Sequence, residues 1–90
     1  MKLRFAVYND GGDLVATVDR GKLRATVNKA VSQNATKYGG LGRVAIVLFD
    51  GDQYMGRQYV MTGVELLPAL RTPTLVSVVK ILTDGICASA

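Results

Sequence analysis

Few residues in this chain could do chemistry, and their types exclude most of it. Across 90 residues there is no histidine and a single cysteine, Cys87. Imidazole is the usual proton shuttle near neutral pH and the commonest metal ligand; a thiolate is the other ready nucleophile. With no histidine to activate it, Cys87 reads as a small apolar filler or a free thiol. Asp50-Gly51-Asp52 sets two carboxylates around a glycine, but a calcium loop needs several more oxygen ligands at fixed spacing and none follow. Asp10 and Asp13 read the same way, as turn residues. Gly39-Gly40-Leu41-Gly42-Arg43 is glycine-rich, yet a phosphate loop runs from strand through glycines into a helix. Here the order is helix, glycines, strand. An enzyme built from the remaining acids, lysines and tyrosines would need a convergent cleft. The expectation is therefore a non-catalytic protein with no metal, no cofactor and no small-molecule substrate.

The basic residues carry the alternative chemistry. Eleven basic side chains face seven acidic ones, and the surplus is uneven. Up to Arg43 there are eight basic against three acidic; beyond it, three against four. Lys22 and Lys29 are seven apart, on one side of a helix, with Lys37 further along. They could track phosphates as point charges, extended by Lys2 and Arg4 if the first strand lies alongside. An ordinary solvated helix face explains the same lysines. Tyr8, Tyr38, Tyr54 and Tyr59 could stack on bases, but the aromatic-glycine signature of RNA-binding sheets is missing.

These residues must be positioned by a small fold. Hydrophobic residues form 49% of the chain and charged residues 20%, outside the range of disordered chains and enough for a core. Leu3, Phe5 and Val7 alternate with Lys2, Arg4 and Ala6, the period of a half-buried strand. Asn9 to Asp13 supplies turn residues, and Leu14 to Val18 completes a first hairpin. Leu23, Val27, Ala30, Val31 and Asn34 then recur at helical spacing, with Asp19 as an upstream cap and Gly39-Gly40 as the stop. Arg43 to Phe49 is a continuous apolar run, read as a central strand covered on both faces. Asp50-Gly51-Asp52 turns it into a returning strand, Gln53 to Thr62, where Gly56 marks a bulge or a close backbone approach.

In the last third, Thr72-Pro73 resembles a helix start and Gly85 a stop, around a stripe of Leu75, Val78, Val79, Leu82 and Ile86. The branched side chains of Val76, Val78, Val79 and Ile81 favour a strand instead. The expected fold is thus one α+β domain over residues 1–90, two β-hairpins each followed by a helix (ββαββα). A final strand in place of the second helix is the alternative.

Arg4-Phe5-Ala6-Val7 and Arg43-Val44-Ala45-Ile46 are faintly alike, each leading to an Asp-Gly turn. The longest apolar run, Val44 to Phe49, is far short of the about 20 residues of a membrane helix, and no secretory pattern is visible. With one thiol and no internal disulfide, a cytoplasmic location is expected and no membrane partner.

The apolar content exceeds what a small monomer hides easily, so self-association is expected. The leading expectation is a small binding module acting through protein–protein contacts, as a homodimer. A regulator, a phage-type inhibitor and an assembly subunit all fit that description. Tyr54, Met55, Tyr59 and Met61 are the candidate interface, since tyrosine and methionine are enriched at such patches. The second expectation is a nucleic-acid-binding protein using Lys2, Arg4, Lys22, Lys29 and Lys37.

Overall fold

The computed structural model describes residues 2–62 and 72–86. Cys87 lies outside them. β1 (Leu3–Tyr8) and β2 (Leu14–Val18) form the first hairpin, and a 3-10 turn at Arg20–Lys22 leads into α1 (Leu23–Tyr38). β3 (Arg43–Asp50) and β4 (Gln53–Thr62) form the second hairpin, and α2 (Thr72–Thr83) follows. This order fits ββαββα. The branched residues of the last third are helical, so the alternative of a final strand is corrected. Four of them fit a helix because Val78 and Val79 fall on its buried face while Val76 and Ile81 face outward.

The sheet runs β2-β1-β3-β4, antiparallel throughout. Its odd-numbered β1 side chains, Phe5 and Val7, share a face with Val44, Ile46, Leu48 and Met61. Both helices pack there. α1 contributes Leu23, Val27 and Ala30; α2 contributes Leu75, Val78, Val79 and Leu82. β3 is central, as expected, but among the described residues only one of its faces is covered. Ala45, Val47 and Phe49 alternate with the core positions and remain half-buried, on a face that no described helix covers. An unbroken apolar run does not require two covered faces; here the second set of apolar side chains forms surface.

Local chemistry sets the element ends. Gly39 takes a left-handed φ of 74° and its N–H bonds Ala35 O at 3.0 Å, closing α1 as a glycine stop. Asp19 caps through its backbone, its carbonyl accepting from Lys22 N at 3.2 Å, and its side chain makes no cap bond. Gly51 leads the two-residue turn between β3 and β4 with φ 60°. Gly56 (φ 74°) sits in a bulge where three residues of β4 oppose Leu48 alone; a Cβ there would meet nothing within 4 Å, so bulge geometry requires it, not close packing. Beyond the bulge Arg57 reaches over α2, donating to Leu82 O at 3.2 Å and to Asp84 O, which satisfies carbonyls the helix end leaves free.

Candidate functional site

The uncovered sheet face is built from residues two apart on each strand, and cross-strand pairing arranges them in rows. Phe49 pairs with Arg4 on β1 and Tyr54 on β4, forming an aromatic row. The two rings lie 6.0 Å apart between centroids, tilted by 53°. In the next row the buried Ala6 pairs with Thr17 and Val47, and Val47 with Gln58. The third row is Leu14, Tyr8, Ala45 and Val60. The end row is Arg43 and Thr62, with Asp10 beside Arg43 (Nε to Oδ1, 3.3 Å).

A groove of about 520 Å³ runs over this face between Tyr8 and Tyr54, floored by Ala45 and Val47. Leu14, Tyr54 and Val60 are 54%, 55% and 45% exposed, a high cost in hydrated apolar surface for so small a chain. The charged groups of the face are engaged within the chain. Arg4 Nη2 donates to Thr17 O at 2.7 Å, although Arg4 Nε is buried with no acceptor among the described residues. Arg43 is held by Asp10.

The four residues expected to form an interface do not share a face. Tyr54 projects from the open side. Met61 lies in the core, and Met55 and Tyr59 pack against it from the helix side. Two-residue alternation separates Tyr54 from the other three, and it points instead to Gln58 and Val60 as Tyr54's companions. Ala45, Val47 and Phe49 were hidden by the apparent double burial of their strand.

The five basic residues are likewise divided. Lys22 is exposed in the 3-10 turn ahead of α1 and Lys29 is exposed on α1 itself, while Lys37 pairs with Asp13 at 3.7 Å. Arg4 belongs to the opposite side of the sheet. Lys2 sits at the sheet end, its backbone bonded to Asp50 Oδ1 and to Gly51 N. A cleft of about 670 Å³ between α1 and the first turn holds Lys29 and Lys37 with Ser32, Gln33 and Thr36. Replacing Lys22 and Lys29 together with glutamate is expected to shift stability by no more than about 1 kcal/mol, because both side chains stand in water. A thermal melt checks this, and loss of the folded baseline contradicts the helix phase.

A polar node pins the end of this face to α1. Asn34, fully buried, accepts from Asp10 N at 2.8 Å and donates to Leu41 O at 2.8 Å and Arg43 O at 3.0 Å. Asn9 Nδ2 donates to Gln33 Oε1 at 2.9 Å while Asn9 Oδ1 closes the turn by accepting from Gly11 N and Asp13 N. Gly42 (φ 65°) passes so close that a Cβ would lie 3.0 Å from both Asn34 Nδ2 and Asp10 Cβ. A polar amide within the apolar stripe of α1 was the sequence signal for this node.

Among the described residues, no three His, Cys, Asp or Glu side chains gather where they could hold a metal ion. No described helix is long and apolar enough to cross a membrane. No protein-family model, curated protein or solved structure matches this chain.

Proposed function

We propose that the protein is a non-catalytic binding module that acts through protein–protein contacts, self-association included, and that the open sheet face is its contact surface. The observation that carries this reading is the uncovered face itself. Three large apolar side chains are about half exposed, and two of them, Tyr54 and Val60, line a groove with Ala45 and Val47; together they form the kind of patch a partner covers. Regulation, inhibition and assembly are all performed by such occupation of a surface.

Binding of nucleic acid by the basic residues is the second reading. It rests on the exposed Lys22 and Lys29, and the separation of Arg4 from them leaves it with a narrower footprint. Both are tested by immobilising the wild-type chain and a Val60→Arg variant, then offering a lysate of the native host and labelled DNA and RNA at low and high salt. Expected is protein retained by wild type and lost by Val60→Arg, with no nucleic acid held at low salt. Nucleic-acid binding that collapses with salt would replace the first reading with the second. Equal retention of protein by both baits would remove the sheet face as the contact surface.

A further inference from the structure

We infer that two copies of this chain join edge to edge through β4, antiparallel and centred on Val60, so that their sheets become one. This seam lies at the rim of the sheet and forms whether or not the open face is a contact surface.

The backbone groups of a strand point alternately toward its two neighbours. Lys2 O accepts from Gly51 N, so the even-numbered residues of β1 bond β3 and the odd-numbered ones bond β2. Asn9 N donates to Asp13 O on the β2 side, in agreement. Carried across the register, the odd-numbered residues of β3 bond β1, while Val44 and Ile46 bond Met61 and Tyr59 of β4. The N–H and C=O groups of Gln58, Val60 and Thr62 therefore point out of the sheet. Among the described residues no strand pairs with them.

The two rims are not alike. On β2 the same alternation turns the Thr17 carbonyl outward, and Arg4 Nη2 occupies it at 2.7 Å. A register shift also skips Val15. Charged side chains and bulges are the ordinary means of blocking an edge. In β4 the bulge sits at Gly56, and the one charged side chain, Arg57, is drawn over α2. Residues 58–62 carry neither guard.

What fits this edge is β4 itself. A two-fold axis through Val60, normal to the sheet, sets Gln58 against the partner's Thr62 and Val60 against the partner's Val60. Amide meets hydroxyl, branched chain meets branched chain, and no like charges meet. Each facing pair exchanges two bonds, about six in all. Centring on Gln58 instead would run the seam into the Gly56 bulge. α2 supplies a second match. α1 lies against β1, β2 and β3, and α2 against β4. Val76, Val79, Lys80 and Thr83 turn toward Arg20, just ahead of α1. Ile81 lies on the other flank of α2, toward the free rim, and is 57% exposed. The axis brings both Ile81 flanks to one side of the seam. A foreign strand would satisfy the backbone alone; a copy brings the matched side chains and a second Ile81 by symmetry.

Sedimentation equilibrium, circular dichroism and amide exchange by NMR test the seam. Wild type at about 100 µM is expected at twice its 9.6 kDa mass. Gln58→Lys with Thr62→Lys sets lysine against lysine twice and is expected to be folded and monomeric. Its Val60 amide should exchange at least about tenfold faster than that of wild type. Gln58→Lys with Thr62→Glu turns the same contacts into ion pairs and should bind at least about tenfold more tightly than the double lysine. Within one chain the two positions are about 13 Å apart, too far to pair directly. A monomeric wild type overturns the second copy as occupant. Dimers that survive both lysines, a lysine–glutamate variant no tighter than the double lysine, or equal Val60 exchange overturn this seam. If the double-lysine chain does not fold, Val60→Pro replaces it, removing an outward N–H while keeping every bond to β3, and must be monomeric.

Discussion

Replacing Asn34 with leucine is expected to cost roughly 3 kcal/mol or more, from about 1–3 kcal/mol for each buried polar group left unpaired. The size of the side chain is nearly kept, so the loss is one of hydrogen bonding. Asp10 N, Leu41 O and Arg43 O all turn to Asn34 and would each lose a partner. In a domain of ordinary marginal stability this is a large fraction of the total. Asn34→Asp separates the contributions, since it keeps the acceptor for Asp10 N but points a second oxygen at two carbonyls. Urea unfolding is the measurement, and the expected result is a lower midpoint with an unchanged slope. A midpoint within about 1 kcal/mol of wild type for Asn34→Leu would show that water replaces the amide at this node.

The second large effect is a contrast between neighbours. Ile46→Asp places an unpaired carboxylate among Phe5, Val7 and the helices, at a position with no exposure, and is expected to abolish cooperative folding. Val47→Asp, one residue on, is expected to melt cooperatively, losing no more than about 2 kcal/mol, because its side chain faces the groove. A reading in which β3 is covered on both faces demands that both variants fail. Circular dichroism on the pair distinguishes these outcomes, and an unfolded Val47→Asp would mean that something covers the open face within the single chain.

The same contrast marks where the sequence was legible. Alternation in Leu3–Val7, the turn residues of both hairpins and the stripe from Leu23 to Asn34 all follow from local geometry, and the strands and α1 lie where those patterns put them. The run from Val44 to Phe49 was opaque because apolar side chains on two faces look alike whether a helix or a partner covers the second. Local pattern records the wish for burial and says nothing of what supplies it. The last third was ambiguous for a related reason: β-branched residues pull toward strand, and the tidy polar arc of Ser77, Lys80 and Asp84 outweighed them only through packing on the sheet. The basic residues show the limit of counting charge. Lys22 falls in the 3-10 turn before α1 and not on the helix that carries Lys29, and the topology sends Arg4 to the far side of the sheet.

The sheet order has an implication of its own. Exchanging the first hairpin-plus-helix with the second returns the same arrangement, with β1 and β3 in the middle and the look-alike segments Arg4–Val7 and Arg43–Ile46 presenting matching sides. Severed in the exposed linker at Gly39–Gly40, the molecule becomes two fragments of one plan. Six facing residue pairs and the Asn34 amide would still bridge the cut. Fragments cut there are expected to rejoin when tethered to proteins that meet, through the contacts that β1, β3 and Asn34 make across the cut.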